Sequence, residues 1–223
     1  MTINEAGLEN LLCLFSARQS EDNLPNFSKI GINRIFTLYQ IHSDIIRYVN
    51  QEFPYEHQLT GDGLFTNQIN TFIGVKVADC LPIYFFSPIK KIVGIVHSGW
   101  RGTLKEIGSK MVKTLLENFN LLPSQLYYAF GPAIAVCCYE IKKDVLQLFE
   151  NFCNEKKIVG VINHRNGKYY LDLKRVNQIL LERLGVKQVG NLDLCSCCQK
   201  ELFYSARRER DTGRNIALIG YRK

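Results

Sequence analysis

The run Leu81-Pro82-Ile83-Tyr84-Phe85-Phe86-Ser87-Pro88-Ile89-Lys90-Lys91-Ile92-Val93-Gly94-Ile95-Val96-His97 decides the fold. Two short segments rich in β-branched and aromatic residues flank a stretch of turn-forming character, the pattern of two strands and a connection. Residues 83–86 and 91–96 are therefore expected as antiparallel neighbours, with Ser87-Pro88-Ile89-Lys90-Lys91 as a hairpin-like turn. Such pairing brings Cys80 and His97 to the same end of the sheet.

Working outward, strand-like runs also occur at 11–15, 34–39, 71–77, 125–130 and 215–221. Three helices are legible. Residues 103–119 set Leu104, Ile107, Met111, Leu115 and Phe119 on one face, and Thr103-Leu-Lys-Glu106 reads as a capping box. Residues 142–152 follow Tyr139-Glu140-Ile141. Residues 172–184 begin at an Asp N-cap and stop at Gly185. Antiparallel strands mixed with irregularly spaced helices imply an α+β fold rather than a doubly wound parallel sheet. No repeat, low-complexity segment or linker divides the chain, so one domain over 1–223 is expected.

With 46% hydrophobic residues in a chain of 223, a substantial core can be buried. No apolar run is long enough to span a bilayer. The N-terminus, Met1-Thr-Ile-Asn-Glu-Ala-Gly7, has no basic region, so no secretory signal is expected. Eight cysteines then argue for a reducing compartment, and the expected location is cytoplasmic. The net charge is +7, and residues 200–223 carry seven Lys/Arg against three Asp/Glu. A basic tail serves nucleic acid, a phosphate pocket or a merely solvated face. No recognition helix, stacking aromatic pair or finger spacing favours nucleic acid. Oligomeric state is left open.

Only four histidines occur, and two of them fall in motif-dense segments, Gln40-Ile41-His42-Ser43 and Val96-His97-Ser98-Gly99-Trp100-Arg101-Gly102-Thr103. Cys80 stands in a third, Ala78-Asp79-Cys80-Leu81-Pro82. Two imidazoles and a thiolate can hold zinc and leave its fourth position open. The same residues also allow an inert buried Cys80, or a Cys80 nucleophile served by His97 as base. Asp79, opposite Cys80 on a continuing strand, would orient a ligand, and either Asp79 or Asp62 could act as acid or base. After His97 a glycine-rich turn leads into the helix at Thr103, whose first N–H groups suit an anion. Arg101 could grip phosphate there and Trp100 could stack on a base. In the plainer reading Trp100 is core and Arg101 is surface. Arg207-Arg208-Glu-Arg210-Asp-Thr-Gly-Arg214 could close over phosphate or a nucleoside, or be a solvated face. Four cysteines from Cys137-Cys138 and Cys195-Ser-Cys197-Cys198 could bind a structural zinc. Adjacent cysteines alternate faces on a strand, however, and none of them forms a Cys-x-x-Cys pair clear of other cysteines, so packed thiols are expected. His57 and His164 read as surface residues in polar loops.

Taken together and in order, these segments resemble the laccase-domain (YfiH-like) family, whose members are also described as zinc-dependent purine nucleoside phosphorylases with adenosine deaminase activity. The matching stretches are Gln40-Ile-His-Ser43, Gly61-Asp-Gly-Leu-Phe-Thr66, Val77-Ala-Asp-Cys-Leu-Pro-Ile83 and His97-Ser-Gly-Trp-Arg-Gly-Thr103. They continue with Gly131-Pro-Ala-Ile-Ala-Val-Cys-Cys-Tyr-Glu-Ile141 and Phe203-Tyr-Ser-Ala-Arg-Arg-Glu-Arg-Asp-Thr-Gly-Arg-Asn215. The resemblance implies a layered α/β sandwich with mixed, largely antiparallel sheets and flanking helices. It implies zinc on His42, Cys80 and His97. It implies phosphorolysis of adenosine, inosine, guanosine and methylthioadenosine, and deamination of adenosine. It also brings an older label, polyphenol oxidase, and a link to editing of cell-wall precursors. One departure lies near the N-terminus. Family members carry Thr-Arg-x-Gly-Gly-x-Ser there, whereas this chain has Phe15-Ser-Ala-Arg18-Gln-Ser-Glu21 in a shortened segment. Arg18 is the residue that would match the family's arginine.

Several activities compete. Zinc lowers the pKa of a bound water to about 7 and so suits hydrolytic attack on C6 of adenine. Phosphorolysis needs an anion beside C1′ of the ribose, for which Arg101, the Thr103 helix start and Arg207 or Arg208 are candidates. Copper oxidation would use the same three ligands with a weak axial Met, but Met111 is expected in the core. A metal-free Cys–His hydrolase would resist chelation. A basic RNA- or protein-binding module would show salt-dependent binding without turnover.

Overall fold

A computed structural model describes residues 8–18, 27–52 and 59–223. His57 lies outside the described residues. The strands are β1 (Leu11–Phe15), β2 (Ile35–Phe36), β3 (Ile46–Tyr48), β4 (Gly63–Thr66), β5 (Phe72–Val77), β6 (Leu81–Ser87), β7 (Ile92–Ser98), β8 (Tyr127–Phe130), β9 (Glu140–Ile141), β10 (Ile162–Arg165), β11 (Lys168–Leu171), β12 (Lys187–Asn191) and β13 (Asn215–Tyr221). The helices are α1 (Trp100–Leu104), α2 (Ile107–Phe119), α3 (Lys143–Lys156) and α4 (Leu173–Glu182).

The expected hairpin is the spine of the molecule. β6 and β7 pair antiparallel with Leu81 opposite Ser98 and Pro82 opposite His97. Every residue of both strands is buried. They lie centrally in a six-stranded sheet ordered β12-β8-β6-β7-β4-β3. A second sheet, β1-β13-β5-β2, covers one face. Because side chains alternate along a strand, Tyr84, Phe86, Val93 and Ile95 face that sheet, meeting Ile73, Val75, Ala217 and Ile219. Leu81, Ile83, Phe85, Ile92 and Val96 face the other way, onto Met111, Leu115, Phe149 and Val176 of the helices. Burying a side chain of this size contributes roughly 1.5–3 kcal/mol, so the central hairpin draws stability from both layers. A small sheet, β10-β11-β9, lies apart. Among these sheets only β2/β5, β3/β4 and β8/β12 pair in parallel. The fold is mixed α+β in layers, as expected.

Two expectations need correction. The helix expected over 103–119 is two helices. It starts earlier, at Trp100, and breaks at Glu106, which takes a left-handed φ of 55° and pairs with Lys156 at 2.5 Å. No capping box forms. Thr103 is buried, its N–H bonds Gly99 O, and its hydroxyl meets Ser98 and Asn177. The hydrophobic period runs straight through the break, so the pattern alone hides it. The backbone also does not continue as a strand through Asp79. It turns there with a φ of 84° between β5 and β6.

Gly94 explains how closely α2 approaches β7, since a Cβ there would lie 3.1 Å from Met111 Sδ. Beneath α1, a buried polar cluster of Ser98, Thr103 and Asn177 locks the helix to α4. Replacing Asn177 with Ala should cost roughly 1–3 kcal/mol by leaving buried hydroxyls short of partners. A urea titration measures this, and an unchanged midpoint would rule out a stabilising role for the cluster.

Candidate metal centre and the pocket beside it

Three chain segments converge at the end of the β6/β7 hairpin. His97 is the penultimate residue of β7, Cys80 immediately precedes β6, and His42 sits in the coil before β3 with a φ of 56°. Their ligand atoms all lie within 4.8 Å of one another, and the two imidazole rings are 5.0 Å apart at 71°. His97 is buried, Cys80 is half-buried and His42 is exposed. The centre is therefore open on the His42 side. Gly99 makes room for it, because a Cβ there would come within 2.8 Å of Cys80 Sγ. The backbone at Gly99 is ordinary extended chain, so it is space rather than conformation that calls for glycine.

Asp62 organises the centre. Its carboxylate, fully buried, accepts hydrogen bonds from the N–H groups of Ile41, His42 and Ser43 and from the Ser43 hydroxyl. It also lies 2.8 Å from His97 Nδ1. That contact makes Nδ1 the protonated nitrogen and leaves Nε2 to act as a ligand. Burial opposes the charge on Asp62, but hydrogen bonds from His97 and Ser43 outweigh it and hold the carboxyl down to about 2. Burial likewise opposes a Cys80 thiolate, yet hydrogen bonds and charge from His42 and His97 bring the thiol down to about 6. His97 is pushed up to about 9, with burial opposing and Asp62 and Cys80 favouring the proton.

A cavity of about 620 Å³ opens beside Cys80. Asp79, Cys80, Trp100, Tyr139, Glu140 and Arg207 are among its walls. Asp79 does not touch the histidines. It accepts from Ser196 Oγ at 2.7 Å, Ser205 Oγ at 3.1 Å and Arg207 N at 2.6 Å, and so ties the C-terminal segment to the cavity. Arg207 Nη1 donates to Cys138 O at 3.1 Å, and its guanidinium lies 5.4 Å from the Tyr139 ring centre. Arg101 stacks over Trp100 at 4.1 Å. Arg18 stands elsewhere, paired with Glu209 at 2.7 Å and stacked on Tyr204, and it does not line the cavity. Arg208 bonds the carbonyls of Ser196, Cys197 and Phe203. The anion site expected at Thr103 is not formed, because that N–H is already bonded within α1. His164 is exposed on β10, next to Tyr169. Sequence reading missed Tyr139 and Glu140 as cavity residues, although both follow Cys137-Cys138 in a stretch that stood out.

The fold and this donor set define a class: layered α+β proteins with a His/Cys/His centre beside a cavity. Residues 17–222 match the family described as multi-copper polyphenol oxidoreductase laccase, and the chain belongs to that family. It is 35% identical over 73% of its length to a Bacillus subtilis protein named purine nucleoside phosphorylase YlmD, and it spans 59% of that relative's length. It is 34% identical over 92% of its length to a purine nucleoside phosphorylase of Borreliella burgdorferi, covering 87% of that protein. The crystal structure of the hypothetical protein YfiH of Bacillus licheniformis superposes with a TM-score of 0.85 at 28% identity, covering 96% of this chain and 94% of that one.

Asp62→Asn should lower metal affinity by about 10–100-fold, the usual effect of losing a partner that orients a ligand. Chelator competition measures it, and unchanged affinity would show that Asp62 does not orient His97. In chelator-treated protein the same carboxyl has a folded pKa of about 2, below the ordinary value of about 3.9. Its stabilisation is complete above about pH 4 and drains away as pH falls towards 2. The melting-temperature gap between wild type and Asp62→Asn should close over that window, and a constant gap would contradict the assignment.

Proposed function

We propose that the chain is a zinc enzyme of the cytoplasm that splits purine nucleosides with phosphate and also deaminates adenosine, working as one domain over 1–223. One observation carries the reading: Cys80, which meets His42 and His97, also lines a cavity of about 620 Å³, within the roughly 300–1,000 Å³ of small-ligand sites, whose walls offer an indole, a phenol and a guanidinium. The relatives named purine nucleoside phosphorylase support it.

The donor set fits zinc. Two imidazoles and a thiol already inclined to ionise provide three ligands, with a carboxylate behind one of them and a fourth position left open. When bound, zinc supplies a Lewis acid that can activate water near neutral pH. The copper alternative is weaker here, because Met111, the only methionine among the described residues, lies in the core against β4 and β7.

The protein's own residues then divide the work. Trp100 stacks on the purine, with Tyr139 as a second wall. Arg207, held by Asp79 at its N–H and by Cys138 at its side chain, grips phosphate, and Arg101, stacked over the cavity-lining Trp100, adds a second cation nearby. A phosphate oxygen bonds to C1′ as the C1′–N9 bond breaks, and the purine leaves with the bonding pair and takes a proton. Asp62 and Asp79 serve as positioning residues, since each already accepts several hydrogen bonds. Glu140, which shares the cavity wall with Asp79 and Asp144 and pairs with Lys168 at 2.9 Å, is the carboxylate we assign to exchange protons with the base.

Zinc-loaded protein incubated with adenosine should release adenine only when phosphate is present, and inosine without it, while His97→Ala gives neither. Arg207→Ala should cut phosphorolysis by roughly tenfold to a hundredfold, the loss of a hydrogen bond to a charged group, while sparing deamination. No turnover by folded, zinc-bound protein would refute the reading. Activity that survives chelation would favour the Cys–His hydrolase instead, and an intense blue colour with copper would favour oxidation.

A further inference from the structure

The four cysteines expected as packed thiols meet in one place. Cys137 and Cys138 lie in a turn that follows Ala135, and Cys195 and Cys198 span a turn on the other side. Cys195-Ser196-Cys197-Cys198 has Cys-x-x-Cys spacing after all, obscured in the sequence by Cys197. The sulfurs of Cys137, Cys138, Cys195 and Cys198 all lie within 4.8 Å of one another. Separations are 3.7 Å for Cys137–Cys138, 3.6 Å for Cys137–Cys198 and 3.3 Å for Cys138–Cys198. A tetrahedron with metal–sulfur bonds of about 2.3 Å has edges of about 3.8 Å, close to these spacings. A disulfide would instead bring one pair to about 2.05 Å.

We propose that Cys137, Cys138, Cys195 and Cys198 form a second, structural zinc site, separate from the His42/Cys80/His97 centre. Three further observations support it. The turns are held together by main chain: Ala133 bridges to Cys195, and Ser196 N bonds Ala133 O at 3.0 Å. The four sulfurs therefore meet on a preformed frame. The N–H of Ala135 donates to Cys195 Sγ at 3.4 Å, a bond that favours a thiolate. Guanidinium groups surround the cluster. Arg165 bonds the carbonyl of Cys137, Arg207 that of Cys138, and Arg208 those of Ser196 and Cys197. Four thiolates around Zn²⁺ carry a net charge of −2, and these cations offset it. Soft sulfur donors in a tetrahedron select zinc over hard cations such as magnesium or calcium.

The site would do structural work for the cavity. One turn leads directly into Tyr139 and Glu140, and the other leads towards Ala206 and Arg207, all on the cavity wall. A zinc ion binding both turns fixes that wall in place.

The test removes the first centre so that the two cannot be confused. In a Cys80→Ala/His97→Ala variant, purified under reducing conditions, elemental analysis should find one zinc per chain. Cobalt should give the intense absorption of a tetrahedral tetrathiolate. Adding Cys195→Ser and Cys198→Ser should abolish both. A folded variant that holds no zinc or cobalt, or holds iron instead, would overturn the proposal. So would a disulfide among these four residues in protein prepared without oxidant. Should the variant not fold, cobalt-loaded wild type decides: the tetrathiolate absorption, lost in Cys195→Ser/Cys198→Ser, sustains the second site, and its absence refutes it. The result stands whether or not nucleosides are the substrate.

Discussion

The contact between Asp62 and His97 is the constraint on which the site rests. A carboxylate with no exposure to solvent survives as an anion only if its oxygens are satisfied, and here five donors do that. Three of them are consecutive main-chain N–H groups from the coil that carries His42. Without Asp62 that coil would have nothing to close around, and His97 would have no fixed tautomer. Removing one partner of a buried charged pair typically costs about 3–5 kcal/mol, chiefly because the other is stranded. The exposed His42 is thus placed by a residue that never touches solvent.

The core of the fold was legible because it obeys local rules. β1 and β13 begin and end where the apolar pattern does, and β6 and β7 fall within one or two residues of it. The Asp172 cap is real, its side chain accepting from Arg175 N. Elements held by tertiary pairing were not legible. β9 has two residues and β3 three, too few to display alternation, and of the strand expected over 34–39 only Ile35–Phe36 pairs, as β2. Nor does the pattern reveal the break at Glu106, a non-glycine residue in left-handed geometry supported by Lys156. In the site, His42, Cys80 and His97 could be singled out from their surroundings, and the structure brings them together, but the partner of His97 lies 35 positions away and shares no motif with it. The cysteine turns stand some 60 residues apart, and no spacing rule joins them.

The pocket gathers contributions from distant parts of the chain onto one rigid edge. The hairpin supplies Cys80, α1 supplies Trp100, and the segments after β8 and after β12 supply Tyr139 and Arg207. Asp79 and Cys80 are neighbours that face different duties. The positive φ at Asp79 turns its carboxylate onto Ser196, Ser205 and Arg207, while the next residue presents sulfur to the histidines. A disturbance at either place is felt at the other through a single peptide link.

Strand β13 lies between β1 and β5, so the middle of the covering sheet comes from residues 215–221, later in the chain than everything it joins. As the polypeptide is synthesised, β1 and β5 emerge long before the strand that separates them. Each waits with an unpaired edge over an apolar face, a state prone to wrong pairing and aggregation. The layer that seals one side of the central hairpin is thus completed only once residues 215–221 have emerged, and the exposure to wrong pairing lasts until then.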